Sequence, residues 1–294
     1  MALIICPECG REISDKAHFC IGCGLPNPKE FLDKTEKQYK RASNTIFFGE
    51  YPQTIASYDA VKEMQLIHDR EGYYKSNYDG ERYAKIVATP YTKDYTLSDK
   101  SLVKSGALYF FKVEPIKWRI IKDKEGKALI LTDMILDHNQ FDFKSNAWFN
   151  SEIRAWLNKY FYNKAFTPLQ KTIIENTKLD NKTTGYYPSE QEETRDKIFL
   201  LSLRDVLNEE YGFSSSDQYQ DPTRRGLTSD YCRCKGVWIN PDNAYYGNGY
   251  WWLLSSGSHQ YYVSSVYSHG YVYIVGSYIQ HANRGIRPAL NIVL

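Results

Sequence analysis

Two hydrophobic periodicities divide most of the chain into elements. Ile46-Phe-Phe-Gly-Glu-Tyr-Pro-Gln53 reads as a strand ending in a turn. Residues 57–69 place Val61, Met64 and Ile67 about one helical turn apart, which predicts a helix. Ile116–Ile121 and Ala128–Thr132 read as two strands with a turn over Asp123–Gly126, hence a hairpin. The clearest helix runs from about Ser151 to Tyr162, capped by Asn150 or Ser151. Ile153, Trp156, Leu157, Tyr160 and Phe161 would form its buried stripe. Thr167-Pro-Leu-Gln170 is a capping box with proline at the first helical position, opening a short helix through Ile173 and Ile174. Ile198–Ser202 reads as a buried strand, and Ser202 with Asp205 opens a helix that stops at Gly212. Helices and strands do not alternate regularly, which excludes a parallel doubly wound sheet. No internal repeat is present.

Beyond Lys235 the pattern turns aromatic. Tyr250–Leu254 predicts a core strand. Tyr261–Tyr267 and Tyr271–Val275 predict a hairpin turning at Ser268-His-Gly270, with Val272 and Ile274 on one face and Tyr271, Tyr273 and Val275 on the other. Gly285–Ile292 predicts a last strand whose pairing Pro288 limits. From Asn240 onward the only charged residues are Asp242, Arg284 and Arg287, and nine of the 26 tyrosines lie there among Ser, Asn, Gly and His. Tyr offers rigid area at low entropy cost, and Ser and Asn offer adaptable hydrogen bonds. Residues 240–284 therefore read as an aromatic binding region.

Charge is nearly balanced, with 37 Lys+Arg against 35 Asp+Glu among 294 residues. That removes the electrostatic reason to expect nucleic acid or an anionic membrane as partner. No apolar run reaches the roughly 20 residues of a membrane span. Met1–Cys6 is too short for a signal-peptide core, so a cytoplasmic location is expected.

The first two dozen residues carry a separate chemistry. Cys6-Pro-Glu-Cys9-Gly10 and Cys20-Ile-Gly-Cys23-Gly24 are two knuckles separated by ten residues. Two residues between cysteines let both thiolates face one metal, and two knuckles complete a tetrahedral zinc site. So small a unit folds on metal-binding free energy, on the order of 10–16 kcal/mol in comparable peptides. Cys6, Cys9, Cys20 and Cys23 are thus the expected ligands of a structural zinc, and His18 is read as a surface residue. The expected organisation is a zinc ribbon over 1–27, a charged and helical linker over 28–44, and one domain over 45–294. The ribbon resembles short bacterial zinc ribbons, which implies a structural or docking role toward a partner.

Several stretches resemble one uncharacterised bacterial domain. They are Phe48–Gln53, Trp118–Ile121, Ser145–Trp148 with Ile153–Asn158, Phe161–Phe166, Asp196–Ser202, Trp251–Gly257 and Gly285-Ile-Arg-Pro-Ala-Leu290. That domain is similar to the C-type-lectin-fold variable proteins of diversity-generating retroelements and, more distantly, to formylglycine-generating enzymes. The resemblance implies an α+β, C-type-lectin-like fold and a ligand-binding surface rewritten by adenine mutagenesis. Val263, Val266, Gly270, Val272, Gly276 and Ile279 fit the invariant scaffold. His259, Tyr261, Tyr262, Ser264, Tyr267, His269, Tyr271, Tyr273, Val275, Ser277, Tyr278, His281 and Asn283 fit the diversified, ligand-binding positions. Gln260 and Gln280 fit less well, because an Asn codon does not reach Gln through adenine changes.

The leading expectation is therefore a non-catalytic binding module for a protein or other macromolecular ligand. An oxidative enzyme of the formylglycine-generating kind needs a reactive cysteine pair, and only Cys232-Arg-Cys234 is on offer, with the wrong spacing. Arg233 and Lys235 could lower a thiol pKa there, but two buried thiols are the simpler reading. A calcium-dependent lectin would rest on Asp242 and Asn243, far short of six to eight oxygen ligands. A fixed lectin-like interaction domain remains a third alternative.

Overall fold

The computed structural model describes residues 2–6, 8–29, 38–93, 95–181 and 192–294. At the amino end, β1 (Leu3–Ile5) pairs antiparallel with β2 (Glu12–Ser14). Cys6, Ile13 and Cys20 form the small core of this ribbon, with Ile4, Ala17 and Leu25 against it. The first knuckle packs on the body, where a Cβ added to Gly10 would stand 3.0 Å from Pro168 Cβ.

The body begins at β3 (Lys40–Ala42) and β4 (Thr45–Ile55). Helix α1 (Tyr58–Lys62) follows, then β5 (Met64–His68), β6 (Tyr74–Ser76), β7 (Arg82–Val87), β8 (Leu108–Lys124) and β9 (Lys127–Thr132). Short pieces come next: β10 (Met134–Ile135), β11 (Asp137–His138), β12 (Thr177–Leu179), β13 (Thr194–Asp196) and β14 (Leu227–Thr228). The chain closes with β15 (Trp251–Ser256), β16 (Tyr262–Val266), β17 (Val272–Tyr278), β18 (Gly285–Ile286) and β19 (Ala289–Val293).

Strand β8 is the hub of an eight-stranded sheet. It pairs with β7 near its start, with β4 through its middle and with β9 at its end. A five-stranded sheet runs in the order β11-β18-β15-β16-β17. The only parallel strand pairs among the described residues are β10–β14 and β15–β18. The body is thus mixed α and β, mostly sheet with few helices, as the irregular element order implied.

The last two strands join these sheets. β18 lies between β11 and β15 in one sheet, and β19 pairs with β9 in the other. The predicted single strand over Gly285–Ile292 is therefore split at Arg287-Pro288, where proline supplies no amide donor to a ladder. Arg287 is 2% exposed and fixes the joint. It donates to the Thr132 carbonyl at 2.7 Å and the Arg224 carbonyl at 3.2 Å, and its guanidinium lies over Trp251. Burial, helped by nearby Arg119, pushes its pKa down to about 9.

Other tryptophan-bearing stretches are also held by polar pins. Trp148 and Arg154 both donate to buried Asp196, at 3.0 and 2.7 Å. Asn158 accepts from the Lys197 and Ile198 amides and donates to the Ile198 carbonyl. Trp118 donates to the Phe48 carbonyl at 2.7 Å.

Four expectations need correction. The helix predicted over 57–69 ends at Lys62, and Met64–His68 becomes strand β5 because it finds a partner in β6. Val61 and Ile67 consequently face solvent. The helix from Ser151 forms as α2 (Glu152–Trp156), a π-helical turn over Leu157–Phe161 and α3 (Tyr162–Ala165). Its buried positions are Ile153, Leu157, Phe161 and Ala165, while Tyr160 is exposed. Helix α4 (Pro168–Lys171) has the predicted capping box but stops before Ile173. Ile198–Leu201 is buried but makes only one bridge, Phe199 to Ala289, in place of a strand. Helix α5 (Leu203–Val206) starts at the Ser202/Asp205 box as expected, and Gly212 ends the following 3-10 turn. Of the predicted linker helix, residues 30–37 lie outside the described residues, and residues 40–42 are already strand β3.

Candidate metal centre and ligand-binding face

The knuckles bring four sulfurs together. The Sγ atoms of Cys6, Cys9, Cys20 and Cys23 all lie within 4.8 Å of one another. Cys6 to Cys23 is 3.6 Å and Cys9 to Cys20 is 3.5 Å. Four thiolates at about 2.3 Å around one tetrahedral ion stand about 3.8 Å apart, so the spacing suits a zinc-type site. Each knuckle closes the same way. The Gly10 amide donates to the Cys6 carbonyl and the Gly24 amide to the Cys20 carbonyl, with both glycines at positive φ. His18 is exposed, as expected.

The second site is the β16–β17 hairpin, which forms where the tyrosine alternation placed it. Its turn demands glycine: Gly270 has φ +93°, and an added Cβ would stand 2.0 Å from the Asp221 carbonyl oxygen. Buried Arg224 donates to the Gly270 carbonyl at 3.3 Å and Arg225 to the His269 carbonyl at 3.3 Å, which fixes the tip. At the open end, Asn146 donates to the carbonyls of His259 and Tyr262 at 2.9 and 3.2 Å. Invariant-type positions Val263, Val266, Val272 and Ile279 are all fully buried.

The predicted ligand-binding residues fall into two aromatic groups and a remainder. Around the tip, Tyr267 stacks on Tyr250 at 4.4 Å and meets Tyr273 at 5.0 Å, Tyr271 at 5.7 Å and His269 at 5.9 Å. Tyr250 in turn contacts Trp238 at 4.2 Å and lies under the Arg284 guanidinium. Trp238 lies outside the expected 240–284 region, and Tyr250 and Arg284 lie within it but are not singled out by the sequence, since nothing in their spacing ties them to the hairpin tip. At the open end, His259 contacts Tyr261 and Tyr262, Tyr262 contacts Tyr278, and Tyr278 contacts His281. His259, Tyr261, Tyr262, Val275, Tyr278 and His281 are exposed, whereas Tyr267, His269, Tyr271, Tyr273 and Asn283 are half-buried.

Ser264 and Ser277 lie apart from the other eleven positions. Both are buried, at 0% and 4% exposure, and so stand behind the surface. Ser264 donates to the Ile274 carbonyl and Ser277 shares a hydrogen bond with Ser265. The pairing is irregular between Val263 and Ser265, and there the Ser264 hydroxyl is turned onto the Ser256 and Ile274 carbonyls.

The remaining candidates have quiet roles. Cys232 and Cys234 sit on α6 (Asp230–Lys235), fully buried and free. Burial raises both thiols, Cys234 to about 12, which holds them protonated. Asp242 accepts the Ala244 amide and closes a turn. Among the described residues, the only group of three or more His, Cys, Asp and Glu arranged for a metal is the cysteine cluster. No helix is long and apolar enough to cross a membrane among the described residues.

Comparison with known proteins bears on both sites. Residues 5–26 match the zinc-ribbon domain model. Residues 125–294 match the model of a domain of unknown function, DUF6273, over more than half of the chain. The chain belongs to the DUF6273 family. The DUF6273 region opens in the β8–β9 turn, so β3 to β8 add an amino-terminal half-sheet to it. No curated protein and no solved structure matches the chain.

Proposed function

We propose that this DUF6273 protein is a non-catalytic binding module that holds a protein or other macromolecular ligand on the β16–β17 hairpin. One observation carries the reading: side chains over 258–283 segregate by exposure. Scaffold-type valines, isoleucine and glycines are buried, whereas eleven of the thirteen diversified-type positions are exposed or half-buried. A surface can be rewritten at low cost to its fold only when the rewritten side chains lie outside the core. The same segregation supports the finer reading of a C-type-lectin-like scaffold carrying a retroelement-diversified segment. In this reading the ribbon's ion is zinc, and the ribbon is structural or docks to a partner.

Deep sequencing of the gene in a natural population tests it, with the upstream half as control. Substitutions should concentrate at the His, Tyr and Val positions of the hairpin and spare buried Ser264 and Ser277. Equal variation in both halves removes the retroelement and leaves a fixed interaction domain. In that case, alanine substitutions at Tyr261 and Tyr267 that leave a screened ligand's affinity unchanged would remove the binding face as well.

A further inference from the structure

Arg284 lies between the two aromatic groups of the hairpin face. Its guanidinium stands 4.4 Å over the Tyr250 ring of the tip group. Its amide donates at 3.3 Å to the carbonyl of His281, a member of the open-end group. It makes no ion pair among the described residues: the groups acting on its charge are the phenols of Tyr250, Tyr267 and Tyr91. Its Nε is shielded and has no hydrogen-bond partner. Its two terminal nitrogens also make no hydrogen bond among the described residues, but they are not shut away from solvent.

Two other cations of the region have partners. Arg287 is buried in the joint and bonded to the Thr132 and Arg224 carbonyls. Arg225 donates to the His269 carbonyl and lies over Tyr245. The acids at the margin of the tip are engaged locally. Asp217 accepts from Gln218, and Asp242 closes its own turn. Neither acts on Arg284.

The hydroxyls around the guanidinium offer matching chemistry. Those of Tyr250, Tyr267 and Tyr273 make no hydrogen bond among the described residues, and none is shut away from solvent. Burial raises the Tyr250 phenol, and raises that of Tyr267 to about 12, so both keep their protons and donate. An open guanidinium edge flanked by phenol donors and ring faces is a seat for an anion that carries an apolar neighbour. Arginine meets a carboxylate in two parallel hydrogen bonds. Charge count separates the classes of partner. A nucleic-acid strand gains its affinity by having several phosphates neutralised. From Asn240 onward the only cations are Arg284 and Arg287, and Arg287 is buried. One open guanidinium fits one carboxylate.

We propose, taking the hairpin as a binding face, that its partner is a protein segment bearing an aspartate or glutamate beside an apolar side chain. The carboxylate accepts from the terminal nitrogens of Arg284, and the apolar neighbour lies against the tip rings of Tyr267 and Tyr273.

Selection from a random peptide library displayed on phage, with the full, metal-loaded chain as bait, tests this. Peptides that bind the parent and lose binding to Tyr267→Ala are the hairpin binders. They should be enriched in Asp or Glu next to an aromatic or aliphatic residue. In the tightest of them, exchanging the acid for its amide should weaken binding about tenfold, and so should Arg284→Gln. The two changes together should weaken it little more than either alone. The Arg284 side chain makes no hydrogen bond, so Arg284→Gln should melt as the parent does. If that variant misfolds, the amide peptide still reads the same contact on the parent. Hairpin binders without acidic enrichment, or an amide peptide that binds as well as the acid, overturn the carboxylate and leave the binding face standing. A library that yields no peptide sensitive to Tyr267→Ala removes the binding face and the acidic partner with it. Tighter, Arg284-dependent binding of oligothymidylate overturns the proposal in favour of nucleic acid.

Discussion

Tyr267 on the hairpin and Tyr51 in the core are the same side chain under two regimes. Tyr267 is half-buried and leans on other rings: Tyr250, Tyr271, Tyr273 and His269. Burial and those neighbouring phenols push its pKa up to about 12. Tyr51 is 1% exposed and gives its hydroxyl to Asp137, which Lys235 holds in place. Ring-on-ring contacts are tolerant of exchange, because each pair adds only about 0.5–1.5 kcal/mol beyond area burial. A buried charge network is not, because removing one member strands the rest. Substitution should therefore cost little at the hairpin surface and much around Asp137.

The bluntest challenge is removal of the metal. Chelation should unfold the ribbon over residues 5–26, a loss on the order of 10 kcal/mol for that unit. Near-UV circular dichroism of the body should be unchanged, since both tyrosine regions rest on the larger core. Next in size is Asp137→Ala, expected to cost about 3–5 kcal/mol in urea denaturation because it leaves the Lys235 ammonium without its partner. Tyr267→Ala in the same assay should cost about 1 kcal/mol. Equal costs would break the contrast between the regions. The sharpest positive sign at the hairpin is in binding, where Tyr267→Ala should lose about 2 kcal/mol of affinity for a screened ligand, as interface anchors do.

The smallest effect is on pH. Burial, with Arg225 beside His269 and Arg284 beside His281, lowers the pKa of both imidazoles below 6.5. The unfolded chain then takes up protons that the folded hairpin refuses. Stability should be full above about pH 6.5 and decline as pH falls toward the folded-state values. Melting temperature at pH 7.5 and pH 5.5, compared with a His269→Gln, His281→Gln double variant, measures it. A parent and variant with the same slope would show that the hairpin histidines do not contribute.

What could be read from the sequence depended on how local each cause is. The knuckles were legible because both cysteines of a pair lie on one tight turn. The β8–β9 and β16–β17 hairpins were legible because alternation and turn residues sit side by side. Met64–His68 was misread because its apolar spacing also suits a helix, and only the pairing with β6 decides. The burial of Ser264 was not legible, because its partners Ser256 and Ile274 lie on the two neighbouring strands. The buried charge network was invisible: Tyr51, Asp137 and Lys235 are scattered over three elements, and no periodicity links them. Tyr73 and Lys164 meet only because the turn before β6 folds against α3.

The joint at Arg287-Pro288 has a consequence for synthesis. Strand β18 fills the gap between β11 and β15, and β19 caps the edge beside β9, so neither sheet is complete until residues 285–293 have left the ribosome. Before that moment the β9 edge and the floor under Trp251 are open, and long-range pairing of this kind is slow to form. Until residues 285–293 emerge, unpaired edges of this kind stay exposed, the condition under which incompletely folded chains associate wrongly.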